Sequence, residues 1–202
     1  MTDKTAELTL QLNQLAWMRV GRLLRACLDI APRAGFRPIT LHATVCDHAA
    51  TITCHTCNGP AAVRARTTIQ NAGADGNATA HIRPDAVRAW LRHMRVPATL
   101  TIEDWGASVT VEDTTITAAA TEIGLAWADL ASKTTADGQA RCAYTPGDMA
   151  GVYRALSRAR VPAVQVIGAD GAPTRLWAAS DTMRVDALIM PIRFPLHEED
   201  TK

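Results

Sequence analysis

The sequence lacks the features that mark membrane, secreted and disulfide-bonded proteins. Among its 202 residues, no run approaches the ~18 uninterrupted apolar residues of a membrane span. The N-terminal MTDKTAELT does not have the basic-then-apolar pattern of a secretory signal. The five cysteines are an odd number without framework-like spacing, which favours free thiols in a reducing compartment over disulfides. These absences predict a cytoplasmic protein that has no membrane partner.

The motifs of common enzyme classes are also missing. There is no phosphate-binding loop, no Rossmann fingerprint and no nucleophile elbow. The carboxylate pairs Glu103-Asp104 and Glu112-Asp113 fall in predicted hairpin turns, where such pairs are most often solvated. His55 directly follows Cys54, and neighbouring residues on a strand face opposite ways, which disfavours a Cys-His nucleophile. We therefore expect neither enzymatic activity nor a cofactor.

Cysteines and histidines crowd into one short segment, which raises the question of a zinc site. A Cys-x-x-Cys pair is a metal signal when a second pair stands at the right distance. If Asp47-His48 is a turn, Cys54 lies roughly 13 Å along the strand from the level of Cys46, at ~3.3 Å per residue. That distance is too large for one zinc shell, so buried or edge thiols are favoured over zinc. The segment contains Cys46, His48, Cys54, His55 and Cys57.

What the sequence does contain is an internal repeat. The tetrapeptide RVPA at 95–98 returns at 160–163, each time after a helix-like run that begins at a proline. A weaker copy lies upstream, where PITL at 38–41 matches PATL at 97–100. Self-similarity of this kind usually marks one supersecondary unit that is used several times. The sequence therefore predicts three copies of a unit made of a strand, a helix and a meander.

The predicted fold class is α+β, with the helices on one face of antiparallel sheets. We expect the sheet to be continuous and the three helices to pack on one side of it. The predicted boundaries are a complete domain at 1–123 with half-units 1–70 and 77–123, a linker at 124–139, a third half-unit at 140–196 and a polar tail at 197–202. In the linker, Leu125, Trp127 and Leu130 are expected to dock on the surface.

Each predicted helix has a recognisable start and an apolar side. Asn13 can cap the first helix, Pro84 suits the first turn of the second, and Thr145 with Asp148 resembles a capping box for the third. The residues expected to face the core are Leu15, Val20, Leu23, Leu24, Cys27 and Leu28 in the first, Val87, Trp90, Leu91 and Met94 in the second, and Met149, Val152, Tyr153 and Leu156 in the third.

Arginines concentrate on the other side of these helices. Nine of the 21 basic residues lie on or at the ends of the three helices, opposed by three aspartates. A solvated face explains one such stripe, but its repetition in three units favours a surface that contacts phosphates. Without an aromatic platform or base-reading motif, contact with double-stranded DNA would be sequence-independent. The predicted DNA-binding residues are Arg19, Arg22, Arg25, Arg88, Arg92, Arg95, Arg154 and Arg158, and Arg160 is the ninth basic residue.

The repeated unit resembles the half-domain of DNA sliding clamps. The segment at 36–66 is similar to the first half-domain strands of that family, and the segment at 81–121 is similar to the second. The ending LIMPIRF at 188–194 resembles the terminal strand of the bacterial DNA polymerase III β-subunit family, V-V-M-P-M-R-L. The resemblance implies a processivity factor that encircles duplex DNA.

The resemblance also implies a site for partner proteins. In the family, the last strand forms part of a hydrophobic groove that receives short linear peptides from polymerases and repair enzymes. The family's other groove wall, a Gly-His-Arg-Leu loop, has no good copy here, and residues 56–60 occupy roughly its position. By position, the groove role carries over to Met190, Pro191, Ile192, Arg193 and Phe194.

Three units cannot close around a duplex alone, so the resemblance implies self-association. Rings of the family contain twelve such units, which favours a tetramer of this chain. The strands near Thr115–Ala120 and Arg184–Ile189 are the candidates for pairing between chains. The alternative is a non-ring, clamp-derived regulator or decoy that binds clamp-interacting proteins.

Overall fold

A computed structural model describes residues 7–31, 37–70, 73–119, 127, 144–168 and 173–191. The helices are α1 Gln14–Leu28, α2 Pro84–Trp90 and α3 Pro146–Ser157, and a 3-10 helix, Leu91–His93, follows α2. The strands are β1 Leu8–Leu12, β2 Ile39–Cys46, β3 Ala49–Cys57, β4 Ala61–Gln70, β5 Gly76–Ile82, β6 Ala98–Glu103, β7 Gly106–Val111, β8 Thr114–Ala118, β9 Gln165–Ile167, β10 Thr174–Ser180 and β11 Met183–Ile189. Within these ranges, no helix is long and apolar enough to cross a membrane.

The helices begin where the sequence predicts. The Asn13 side chain accepts a hydrogen bond of 2.9 Å from the backbone N–H of Ala16, which satisfies one of the unpaired N–H groups of the first turn. The Thr145 hydroxyl accepts from the Asp148 N–H at 3.3 Å. Pro84 occupies the first turn of α2, where its missing N–H leaves no hydrogen bond unmade.

The strands form two antiparallel sheets, so the expectation of one continuous sheet is wrong. One sheet has the order β1-β6-β7-β8, and the other has the order β5-β2-β3-β4-β11-β10-β9. The leading strand of the first unit, β1, pairs with β6 of the second, and β5 of the second pairs with β2 of the first. Each of these two units therefore completes the sheet of the other.

The third unit joins the first through its last strand. β11 lies between β4 and β10 and pairs with both. The expectation that Arg184–Ile189 forms a free sheet edge is therefore wrong, because its backbone groups are already used within the chain. β8, which covers most of the other candidate segment, has only β7 beside it among the described strands.

The helices pack into a core that spans both sheets, and α1 contacts both α3 and the 3-10 helix that follows α2. The Trp17 indole Nε1 donates a hydrogen bond to the His93 carbonyl at 3.1 Å, and Trp17 is fully buried. On the same side of α1, Gly21 makes room for Met94, since a β-carbon there would lie 2.1 Å from the Met94 methyl carbon. Gly151 of α3 likewise approaches the Asp29 carbonyl.

Two side chains that were predicted to face the core are exposed. Leu15 is 56% exposed and Tyr153 is 50% exposed. Leu15 precedes Met18 by three positions, and Met18 is also exposed, so both belong to the solvent stripe of α1. In α3 the buried positions are Gly151, Val152, Ala155 and Leu156, which leaves Tyr153 on the opposite side. The other predicted core residues are buried or partly buried.

A buried carboxylate holds the junction between the first and third units. Asp186 of β11 accepts hydrogen bonds from Arg184 at 3.0 and 3.1 Å and from Arg175 of β10 at 2.7 Å. Arg64 of β4 lies 3.5 Å away. Burial raises the pKa of the Asp186 carboxyl, but the Arg184 and Arg175 hydrogen bonds and the neighbouring positive charges outweigh burial, so the pKa lies below its ordinary value.

Asp186→Asn should reduce the free energy of unfolding at neutral pH by about 2 kcal/mol. This loss is smaller than that for a fully buried ion pair, because the arginines are partly solvated. The folded-state pKa is depressed, so the carboxylate contributes stability above its ordinary pKa of about 4, and that contribution is lost as pH falls through the folded value. Urea unfolding of wild type between neutral and acid pH should show this loss, and Asp186→Asn should lack it. Asp85→Asn is the control, because the Asp85–Arg83 pair is exposed. An equal effect of both variants would contradict the assignment.

Trp17→Phe should reduce the free energy of unfolding by about 1–3 kcal/mol, because the His93 carbonyl loses its donor and the smaller ring leaves a void. Trp105→Phe is the matched control, since Trp105 is 53% exposed. Urea unfolding followed by far-UV circular dichroism measures both. If Trp17→Phe unfolds at the same urea concentration as Trp105→Phe, the indole hydrogen bond does not stabilise the contact between α1 and the 3-10 helix.

Candidate nucleic-acid interface

Three arginines from two helical segments lie close together on the helix side of the protein. Burial lowers the pKa of the Arg22 guanidinium, and the positive charges of Arg160 and Arg19 lower it further. Arg19 and Arg22 lie one turn apart on α1 and are both partly exposed. The Arg19 Nε is buried and has no hydrogen-bond partner among the described residues. We call Arg19, Arg22 and Arg160 the arginine cluster.

The arginine cluster depends on how α3 is placed beside α1. Arg160 follows α3 and has a left-handed backbone conformation, with φ of 56°, which is uncommon for a residue other than glycine. Its side chain is exposed. Arg160 is one of the nine basic residues at the helices but is not one of the predicted DNA-binding residues. Its place in the second RVPA copy, at the junction of helix and meander, is the sequence signal that marks it.

Arg158 has a different environment from the other predicted DNA-binding residues. Its guanidinium donates to both carboxylate oxygens of Asp29, at 2.9 and 3.1 Å, a two-point contact that fixes its orientation. Asp29 follows α1 and is 13% exposed at its side chain, compared with 36% for Arg158. The pair ties the ends of α1 and α3 together, and it occupies part of the donor capacity that a phosphate would need.

The remaining predicted DNA-binding arginines are exposed and have no ion pair with any described residue. Arg88 lies on α2, Arg92 lies on the 3-10 helix and Arg95 follows it, while Arg25 and Arg154 lie in the last turns of α1 and α3. Asp85 pairs with Arg83, at 3.0 Å, rather than with Arg88. Guanidinium groups that are free of carboxylates are available for phosphate oxygens.

The residues predicted to form a peptide groove lie only partly within the described ranges. β11 ends at Ile189, one residue before Met190, and Pro191 has no N–H with which to continue the ladder. The Met190 N–H donates to the Pro60 carbonyl at 2.7 Å, so residues 56–60 do lie beside the end of β11. Met190 is 46% exposed. Ile192, Arg193 and Phe194 lie outside the described residues.

A small apolar cluster adjoins this end of the seven-stranded sheet. It consists of Cys57, Ala62, Trp127 and Leu188. Trp127 comes from the predicted linker and is 7% exposed, so its predicted docking is confirmed, whereas Leu125 and Leu130 lie outside the described residues. The Asn58 side chain accepts from the Ala61 N–H at 2.9 Å and shapes the turn beneath Met190.

The cysteines and histidines between 46 and 57 are spread over a hairpin. Asp47 and His48 form its turn with positive φ values of 50° and 63°, as the sequence predicted. Cys54 pairs with Leu41 in β2, far from Cys46, which pairs with Ala49. Burial raises the pKa of the Cys54 thiol. Among the described residues, no three histidine, cysteine or acidic side chains are grouped closely enough to hold a metal ion.

Comparison with solved structures identifies the architecture. The polymerase III β subunit of Thermotoga maritima superposes with a TM-score of 0.70 at 9% identity, over 96% of this chain and 68% of that one. The β subunits of Caulobacter crescentus and Pseudomonas aeruginosa give TM-scores of 0.68 and 0.66 at 10% and 9% identity, again over 96% of this chain and over 68% and 69% of theirs. The chain has the fold of the bacterial sliding clamp.

No protein-family model and no curated protein matches the sequence. The chain therefore shares its fold with these clamps, although its sequence resembles theirs only in the short segments described above. Two antiparallel sheets and three helices make up the part of the architecture that the structure describes.

Proposed function

We propose that this chain is a non-enzymatic, sliding-clamp-like processivity factor whose helices face duplex DNA. The observation that carries the proposal is that the helices of a clamp fold carry partly or fully exposed arginines, among them the arginine cluster of Arg19, Arg22 and Arg160. None of these three forms an ion pair with a described carboxylate. A phosphate placed there relieves the repulsion between these charges.

Contact through arginines alone suits a protein that moves along DNA. Phosphate contacts carry no base information, so the same contact forms at every step of the duplex. Each contact releases condensed counterions, which makes binding weak at physiological salt and steeply salt-dependent. Further exposed arginines extend the same kind of surface along α1 and over the other helical segments: Arg25, Arg88, Arg92, Arg95 and Arg154.

We further propose that short linear peptides of polymerases or repair proteins bind beside Met190 and Pro191. An exposed methionine next to a small apolar cluster gives an adaptable hydrophobic contact. Ile192, Arg193 and Phe194 complete this groove in the proposal, by their resemblance to the clamp ending.

Encirclement requires more units than one chain has. We propose a homo-oligomeric ring, with a tetramer favoured because four chains supply twelve units. β8 is the strand through which the chains pair, since it has one described neighbour and its alternate residues are threonines with solvent access.

The double substitution Arg22→Glu with Arg160→Glu should abolish duplex binding, because it replaces two phosphate contacts with two repulsive charges. A gel shift on random-sequence duplex at low salt measures the effect, and the salt slope of wild type should fall by about one for each neutralised contact. Arg66→Glu is the matched control, because Arg66 is exposed on the opposite side of β4 from the core. Retention of DNA by the double variant would show that the helix faces do not bind the duplex.

Light scattering should give a mass near four chains. A mass near two chains would require a split form of the ring. A strict monomer at micromolar concentration would overturn the ring and favour the non-ring regulator.

Thr115→Pro and Thr117→Pro remove backbone donors from the edge strand and should reduce the mass. Proline at half-buried Thr53, which is paired with His42 of β2 and with Arg66 of β4, would instead disrupt the sheet. Circular dichroism therefore distinguishes loss of assembly from loss of fold.

A further inference from the structure

The seven-stranded sheet has a second basic surface on the side away from the helices. Val63 and Ala65 of β4 and Val185 and Ala187 of β11 are buried in the core. The residues between them, on the same strands, point to the opposite side. We call this side the outer face. Its charged residues on β4, β10 and β11 are Arg64, Arg66, Arg175, Arg184 and Asp186.

These groups carry four positive charges and one negative charge. Asp186 is covered, with 3% of its side chain exposed, whereas Arg64, Arg175 and Arg184 are 34%, 32% and 36% exposed. The carboxylate therefore lies beneath a layer of guanidinium groups. Arg66 is exposed and lies directly opposite Arg184 in the β4–β11 register. Among the described residues, the outer face therefore presents more positive than negative charge to solvent.

The donor capacity of these arginines also exceeds what Asp186 accepts. A guanidinium has five N–H donors, and Arg175 uses only one terminal nitrogen on Asp186. Its Nε is buried without a partner among the described residues, so only its terminal nitrogens can meet a ligand. Burial lowers the pKa of the Arg64 guanidinium, Asp186 raises it, and the charges of Arg175 and Arg66 lower it again. Further carboxylates beside Asp186 would pair with the free donors and reduce this repulsion.

The geometry favours a peptide over a single-stranded nucleic acid. Sequence-tolerant nucleic-acid sites combine positive charge with aromatic rings on which bases stack. Here the Arg184 guanidinium lies 4.9 Å from the Trp177 ring centroid and the Arg64 guanidinium lies 4.8 Å from that of Trp127. Each guanidinium covers one face of its ring, and Trp127 is only 7% exposed, so little aromatic surface is left for a base.

The spacing of the arginines matches an extended chain. Arg64 and Arg66 are two residues apart on one strand, which places their α-carbons about 6.6 Å apart. Side chains at alternate positions of an extended peptide have the same spacing. A peptide that lies along β4 on the outer face can therefore place one carboxylate at each arginine.

We propose that the outer face binds an extended acidic segment of a partner protein, with carboxylates at alternate positions that pair with Arg64, Arg66 and Arg184. This surface is separate from the helix side, where we propose DNA contact, and from the end of β11, where we propose an apolar peptide groove. It gives the chain a charge-selective docking surface in addition to both.

The full-length chain should bind a fluorescein-labelled peptide of alternating glutamate and serine at low salt, measured by fluorescence anisotropy. Arg66→Glu should weaken this binding at least about tenfold, because a charge-assisted contact becomes a repulsion. Arg66→Lys should weaken it less, since lysine keeps the charge but not the two-point geometry. Arg88→Glu, on the helix side, should leave it unchanged. Thermal unfolding of each variant shows whether the fold is retained.

Failure of wild type to bind the peptide, or equal binding by Arg66→Glu, would overturn the proposal. A short oligothymidylate serves as the competing polyanion. If it binds as tightly as the peptide and Arg66→Glu abolishes both, the outer face is a general polyanion site and the assignment to acidic peptide is wrong. Weak oligothymidylate binding that Arg66→Glu does not change supports the assignment.

Discussion

The backbone ladder between β4 and β11 attaches the third unit to the rest of the protein. Six residue pairs, from Ala61↔Ile189 to Arg66↔Arg184, form it. Without it, β11, β10 and β9 would form a three-stranded sheet whose apolar side has only α3 to cover it. The ion pairs of Asp186 stabilise the same junction, because they join side chains of β4, β10 and β11.

The exchange of leading strands has a comparable effect on the first two units. β1 completes the sheet of the second unit and β5 completes that of the first, so neither has a full sheet by itself. The helices pack against strands of both sheets, and α1 contacts both the 3-10 helix that follows α2 and α3. This is why Arg160, far from Arg22 in sequence, comes near enough for its charge to lower the pKa of the Arg22 guanidinium.

Local structure followed from the sequence, whereas long-range pairing did not. Asn13, Pro84 and Thr145 marked helix starts because capping depends on neighbouring residues alone, and the Asp47-His48 turn followed from alternation on either side. The choice of β6 rather than a strand of the first unit as the partner of β1 depends on the packing of the whole domain. Periodicity also misplaced Leu15 and Tyr153, since an apolar residue at the border of a helix stripe can face either way. For the site, the arginine stripes were visible in the sequence. The proximity of Arg22 to Arg160 and the ion pair of Arg158 with Asp29 depend on the three-dimensional arrangement.

The pairing of β1 with β6 also affects how the chain is made. Leu8 and its partner Ile102 are 94 residues apart, so during translation β1 leaves the ribosome roughly 5–20 seconds before its partner strand. Over that interval the alternating LTLQL segment has no partner strand, and an unpaired apolar strand is a site for wrong association. Closing so long a loop is entropically costly and slows folding. The interlocked sheets that position the helices therefore make synthesis of this chain dependent on protection of its first strand.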